Sequence, residues 1–448
     1  MKMLKKLLSV ILVALFASPV YADVPNAADN SERYFRDLHC QKCKQEHMSG
    51  NWKETRVDIE DKGVTIESTI VADTLGNVSG GKRQGARYNN SMSYDINFDL
   101  EKFAKMMGTQ FHISGLWRAG ESVSAACIGN VFVASSIYGT QQFRFFGLYL
   151  DKMFLDKKLN IRIGRLAAGD DFASDSIYWN FVTNAIDGNP IAIPLNLYFP
   201  CYPISTWGVR AKYNFTDEFY TKSALYNGDP GVQQLGNYGF DFSFRFKRGL
   251  IFCQELGYTP TFKGLPGRYK AGFYYNGGTF RDQYTDINGM PAVVTGADFK
   301  KHIGNYGLYF HASQTIYKPA KTDCDEGLTP FAVVTLAPDN INQFPFFIDG
   351  GFIYKGLVPT RHHDITCVGF AYGRYADSIY RSERMNREAN GNLNTPLQTY
   401  ELIFDFSHKI EITPWMFMQP DFQYIVNPSG TNNIDDAFVV GTRFGLTF

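Results

Sequence analysis

The 448-residue sequence lacks any apolar run of about 18 residues or more, which excludes a protein that crosses a membrane on helices. It also lacks a net charge. Its 44 basic and 44 acidic side chains cancel, and the basic excess typical of nucleic-acid binders is missing, so no nucleic-acid partner is expected. Charged residues make up only 20% of the chain against 44% hydrophobic, a balance too apolar for disorder. Catalytic signatures are missing too: no G-x-S-x-G, H-E-x-x-H or P-loop pattern occurs, and nothing favours an enzyme, a cofactor or a metal site.

What the sequence does have is rings. Its 38 Phe, 27 Tyr and 5 Trp are far more than a soluble domain usually carries. The N-terminus reads as a signal peptide: Lys2, Lys5 and Lys6, an apolar Leu7 to Ala17 stretch, and a Val20-Tyr21-Ala22 cleavage site. Cleavage after residue 22 leaves 41 basic against 44 acidic residues, a net charge of −3. Residues 23–63 are charged and without strand alternation, and read as a short helical or irregular periplasmic or plug segment.

From residue 64 to 448 the pattern is alternation with period two, in runs of roughly ten residues between Gly, Asn, Asp and Pro clusters. Met92, Tyr94, Ile96 and Phe98 alternate with Ser93, Asp95 and Asn97. The cleanest run is Tyr238 to Lys247, with Phe240, Phe242, Phe244 and Phe246 on one face. Soluble strands average about five or six residues, whereas a tilted membrane-crossing strand needs about nine to eleven. Long strands with one greasy and one charged face predict an all-β, transmembrane antiparallel β-barrel in contact with outer-membrane lipid, because only closure satisfies every backbone group in hydrocarbon. Seventeen candidate strands emerge, starting near residues 64, 91, 109, 142, 159, 206, 218, 238, 250, 268, 304, 328, 344, 364, 399, 415 and 437. Bacterial barrels have even numbers. Either one candidate between 64 and 260 is false, giving 16, or Val131 to Tyr138 is a missed strand, giving 18. Among the long connections, 167–205 suits a loop folded into the lumen, since it joins Asp170, Asp171, Asp175, Trp179 and Asp187 to Pro190, Pro194, Pro200 and Pro203.

Specific residues then point to a family. Ser49-Gly50-Asn51-Trp52 with Arg56, Asn77-Val78-Ser79-Gly80-Gly81, Ile163-Gly164-Arg165, Asp171-Phe172, Tyr354-Lys355-Gly356-Leu357 and Thr413-Pro414-Trp415 follow one another in order. So arranged, the chain resembles the carbohydrate-selective porins of the OprB type from about residue 49 to the end. The resemblance implies a 16-stranded outer-membrane barrel that admits small sugars. The terminal Phe448 resembles the signal by which the outer-membrane assembly machinery recognises its clients, in a two-membrane bacterium. A homo-oligomer is expected by analogy with porins.

The expected lumen faces carry Asp95, Asp99, Asp241, Glu401 and Asp405 against Arg162, Arg210, Lys212, Arg245, Lys247, Arg268, Lys270 and Arg443. A mixed wall suits neutral polyhydroxylated solutes better than ions of one sign. The expected solute contacts are Arg165, Asp170, Asp171 and Trp179 at or beside the inward loop, with Arg144, Arg210 and Arg245 on the wall. For each, a salt bridge holding the loop to the wall is the competing role. Seven Cys are unusual for a porin: Cys40 and Cys43 are disulfide candidates, and the odd total fits disulfide-linked envelope proteins as partners of a structural or surface-interaction protein. That role and a general porin are the alternatives to a sugar-selective channel.

Overall fold

The structure, a computed structural model, describes residues 47–139, 141–245, 248–319, 326–391 and 393–448. The signal peptide and the Cys40 and Cys43 pair lie outside the described residues, as do Cys324, Phe246 and Lys247. Sixteen strands form the wall: β1 (Val64–Gly81), β2 (Gly85–Asp99), β3 (Thr109–Gly120), β4 (Gln142–Phe154), β5 (Leu159–Leu166), β6 (Thr206–Asn214), β7 (Phe219–Asn227), β8 (Leu250–Tyr258), β9 (Leu265–Asp286), β10 (Phe299–Gln314), β11 (Gly327–Leu336), β12 (Phe346–Lys355), β13 (Ile365–Arg374), β14 (Tyr400–Thr413), β15 (Met416–Val426) and β16 (Asp435–Thr447). A two-residue piece, Thr261–Phe262, only extends the β8/β9 hairpin. Each strand pairs antiparallel with its sequence neighbours, and β1 closes on β16, with Ile70 opposite both Met92 and Leu446.

Alternation translates directly into two faces. On β2, Ser91, Ser93, Asp95 and Asn97 line the lumen, while Tyr94 and Tyr88 are exposed on the outside. Tyr306, Leu308 and Phe310 on β10, like Phe404 and Phe406 on β14, expose apolar side chains in the same way. These rings form the surface that hydrocarbon covers. Short connections such as 155–158 and 414–415 gather at one end, and the long ones at the other, which makes the long-loop end extracellular.

Two sequence expectations fail, and for related reasons. Tyr238 and Gly239 form a turn with φ of 49° and 79°, and residues 240–245 join no ladder, which resolves the odd strand count to 16. Strand β5 ends at Leu166 and the chain turns into the lumen, so β4 has no β5 partner beyond the Leu148–Arg165 pair. The 238–245 segment lies over this place. Phe145 N donates to Tyr238 O (2.9 Å), Trp207 Nε1 donates to Phe242 O (3.0 Å), and Phe240 stacks on Phe145 at 5.4 Å. Its exposed Phe240, Phe242 and Phe244 continue the greasy surface without belonging to a strand. The stretch Val131 to Tyr138 is not a strand either. It belongs to a 121–141 loop that also folds inward.

Candidate solute channel

Two loops from the extracellular end occupy the lumen. In the 167–205 loop, Phe172, Ile177, Phe181, Val182 and Ile193 are fully buried. They pack on apolar side chains that the far wall turns inward, including Ile251 on β8, Phe331 and Val333 on β11, and Ile403 on β14. Such burial stabilises a loop by about 1.5–3 kcal/mol per large apolar side chain, before the entropy of ordering is subtracted. In the 121–141 loop, Phe132 packs on Phe344 at 5.1 Å and Phe347 at 5.6 Å. Asn184 N donates to Val133 O (2.9 Å), tying the two loops together.

Wall carboxylates satisfy the loops' main chain. Glu401 accepts from Val131 N (2.9 Å), Phe132 N (2.5 Å) and Ser429 N (2.6 Å), and Asp405 accepts from Thr183 N (3.0 Å) and Val182 N (3.3 Å). Buried loop backbone has no water to bond, so these inward acids supply the acceptors it needs.

Side-chain ion pairs fix the loop's position. Arg210 Nε reaches Asp171 Oδ1 at 3.0 Å, with Arg162 at 3.7 Å from the same oxygen, and Lys222 Nζ donates to Asp171 O at 2.7 Å. Asp175 meets Lys270 at 2.7 Å, Arg268 at 3.0 Å and His311 at 3.4 Å. Burial alone would raise the Asp175 carboxyl, but Arg268, Lys270 and His311 outweigh it and hold it below the usual carboxylate range. Asp187 meets Arg443 at 3.0 Å, and Arg443 also meets Asp73 at 2.8 Å.

With the loop held against the far wall, the open space runs along β1–β6 and is bordered by Lys409, Gln419 and Arg443 of β14–β16, as a channel of about 1940 Å³. Its lining mixes Asp95, Asp151, Asp170 and Asp187 with Arg162, Arg165, Lys212 and Arg443, and adds the rings of Tyr149, Trp179 and Tyr202. The Tyr149 ring carries Arg162 on it at 4.5 Å and stacks on His112 at 4.6 Å. A narrow passage with acceptors, donors and ring faces side by side can bind hydroxyls and the apolar face of a solute while committing to neither charge sign.

Of the residues singled out in the sequence, Arg165, Asp170, Asp171 and Trp179 line the channel. The structure brings Arg210 to Asp171 as its partner, fully buried and off the channel lining. Arg144 stands on β4 but is covered, 1% exposed, by the 228–249 connection. Arg245 is not on the wall: it lies in that connection, half exposed, paired with Asp229 at 3.2 Å. Asp241 shares that connection. Asp170 and Asp171 differ sharply although adjacent. Asp171 is ion-paired, whereas Asp170 makes no ion pair among the described residues and its carboxyl is pushed up to about 7 by burial and then by the Asp171 charge beside it. Tyr149, Tyr202 and His112 were not among the sequence candidates. Tyr149 and His112 alternate in phase with inward Asp151 and Gln110, a signal strong enough to find them.

Among the described residues no group of three metal-ligating side chains comes together. Cys127, Cys253 and Cys367 are buried thiols and Cys201 a half-buried one. The Arg361-His362-His363-Asp364 stretch is a turn in which Arg361 grips Asp364 through two 2.8 Å bonds.

Comparison with known proteins agrees with this geometry. The chain is 28% identical over 417 residues to Porin B of Pseudomonas aeruginosa, covering 90% of this chain and 91% of that one. It is 24% identical over 433 residues to the putative porin QuiX of Acinetobacter baylyi, covering 90% and 93%. The high-pH structure of Pseudomonas putida OprB superposes with a TM-score of 0.87 at 26% identity, over 92% of this chain and all of that one. The family model of the carbohydrate-selective porins matches residues 83–448, and with the closed barrel and its inward loop this shows that the chain belongs to the carbohydrate-selective porin family, OprB.

Proposed function

We propose that this outer-membrane porin passes small carbohydrates by facilitated diffusion through the channel between the 167–205 loop and β1–β6. The observation that carries the reading is the channel lining, where the Trp179 and Tyr149 rings stand among unlike charges on one passage. Hydroxyls exchange water for Asp170, Arg165 and their neighbours, and a ring face covers the apolar side of the sugar. Binding has to be weak enough to release the solute, so affinity is expected in the millimolar class. No energy source is involved, and the chain acts as a channel rather than an enzyme. Arg165, Asp170 and Trp179 are the proposed contacts, while Asp171 and Arg210 position the loop.

The reading includes a signal peptide ending near Ala22, a 23–63 segment that is periplasmic or a plug, and self-association of the barrel by analogy with porins. It also includes recognition of Phe448 by the assembly machinery. Swelling of liposomes that contain the purified protein tests the channel. Monosaccharides should enter fastest, with rates falling steeply through di- and trisaccharides. Equal rates for sugars and for unrelated neutral solutes of the same size would overturn selectivity and leave a general pore.

A further inference from the structure

The β9/β10 hairpin outgrows its neighbours on the extracellular side. Strand β8 last pairs with it at Ile251–Asn276 and β11 at Leu336–Leu308. Above that level Thr279, Phe280 and Arg281 pair with Ile303, His302 and Lys301 as a ladder of two strands. Its two faces differ. Asp282 and His302 bond to each other at 2.8 Å, His302 meets Asn340 of the 337–345 connection at 3.4 Å, and Arg381 of the helix Asp377–Asn390 lies over Tyr284 at 5.0 Å. Extracellular loops thus cover that face. The opposite face presents Arg281, Lys301 and Ile303, all exposed, and Ile303 at 85% is the most exposed large apolar side chain among the described residues.

Arg281 and Lys301 are direct cross-strand partners of like charge, an arrangement that destabilises a ladder. Among the described residues no carboxylate lies within 4 Å of either. The acids of the hairpin are engaged or elsewhere: Asp282 pairs with His302, Asp286 accepts from Asn288 N, Met290 N and Thr295 Oγ1, and Asp298 is exposed in the turn. Arg281 is also held in place, over the Phe299 ring at 3.6 Å. Two positioned, exposed cations without a carboxylate favour an anion between them.

The same face names the kind of anion by what lies below. Tyr275 and Tyr306 are paired and exposed on the outside of the wall, as in the aromatic belt at the hydrocarbon edge. Reading upward, the face runs from these rings to Ile303 and then to the two cations. At about 3.3 Å per residue on a strand tilted by about 40°, the cations stand about 12 Å above the ring pair, in the headgroup layer. A phosphorylated glycolipid has its groups in this order, acyl chains below and phosphate-bearing sugar above, and such lipid makes up the outer leaflet of a two-membrane bacterium.

We propose that the outward face of the β9/β10 hairpin docks a lipopolysaccharide molecule of the outer leaflet, with a lipid A phosphate between Arg281 and Lys301 and an acyl chain against Ile303 and Tyr306. The two cations give the phosphate the neutralisation that divalent ions supply elsewhere in that leaflet. The surface lies outside the wall, apart from the channel, and rests on the outer-membrane location rather than on the choice of solute.

Binding of fluorescent diphosphoryl lipid A to the purified full-length barrel, in detergent with EDTA present, tests it. Wild type should bind saturably. Each basic side chain at an anionic lipid surface contributes about a factor of five, so the double variant Arg281→Gln, Lys301→Gln should bind roughly thirtyfold more weakly. Arg281→Lys should keep most of the affinity. Dephosphorylated lipid A should bind wild type no better than diphosphoryl lipid A binds the double variant. Both substitutions lie on an exposed face and relieve like-charge repulsion, so the variant should match wild type in heat resistance without lipid, and only wild type should gain heat resistance when lipid A is added. Equal affinity of wild type and double variant for diphosphoryl lipid A, or of wild type for the phosphorylated and dephosphorylated forms, would overturn the proposal. Displacement of lipid A by millimolar inorganic phosphate at constant ionic strength would overturn it too, by making the pair a site for free anions.

Discussion

Adjacent aspartates in the inward loop offer a sharp perturbation, because the same one-atom change should do different things at each. Asp171 is 2% exposed and its partner Arg210 fully buried, at 3.0 Å. Asp171→Asn keeps the shape and removes the charge, leaving Arg210 with Asp151 at 3.9 Å as its carboxylate neighbour. Breaking a buried pair by removing one partner costs about 3–5 kcal/mol. The barrel's own ladder and the Asp175 and Asp187 anchors are untouched, so the loss falls on the β5 end of the loop. At about 1.4 kcal/mol per factor of ten, the detached form of that end should become roughly a hundred to a few thousand times more populated. Single-channel recording reads this as open-state noise and larger conductance levels, and the temperature at which the folded band disappears on electrophoresis should fall. Asp170→Asn should change neither. If Asp171→Asn behaves like wild type in noise, conductance and heat resistance, the ion pair is not what holds the loop and the reasoning fails.

Further outcomes follow from single residues. Because the Asp170 carboxyl titrates at about 7, raising pH from about 6 to about 8 adds negative charge to the channel and should shift ion permeability toward cations. Asp170→Asn should flatten this pH response in reversal-potential measurements. Trp179→Ala removes a ring face worth about 1 kcal/mol and should weaken sugar block roughly fivefold in current titrations. Glu401→Ala strips the acceptor from the buried Phe132 N–H, costing about 1–3 kcal/mol, and from the half-buried Val131 and Ser429 N–H groups, and should make the 121–141 loop sensitive to protease in the folded barrel. Phe244→Arg puts a charge on the lipid-facing cover of the wall and should cost up to about 2–4 kcal/mol, lowering heat resistance without altering sugar selectivity.

Much of the architecture was legible because barrel strands carry their own instructions. Tyr94 and Asp95 point to lipid and lumen for reasons that only the period-two geometry and the two solvents decide. The Tyr238 to Lys247 run obeys the same rule, since Phe240, Phe242 and Phe244 do face outward, yet it is not a strand. Whether an alternating segment finds a ladder depends on where β5 departs, a tertiary fact with no local trace. The site was legible in part. The acids and prolines of 167–205 marked it as the inward loop, but Asp170 and Asp171 look alike in sequence. Only the placement of Arg210 behind one of them separates the proposed solute contact from the anchor. Arg144 has the right strand phase for the wall, and the 228–249 connection that covers it comes from some 90 residues further along the chain. Likewise Glu401 and Asp405 read as pore charges, whereas in the fold they serve loop backbone.

The central claim is that small sugars occupy the passage between the inward loop and β1–β6. Its most direct test is the single-channel ion current of the purified protein while glucose is added in the millimolar range. The account predicts a concentration-dependent, saturating reduction in current with increased noise, weakened in Trp179→Ala. A current that stays constant as glucose rises, while ions pass freely, would contradict it.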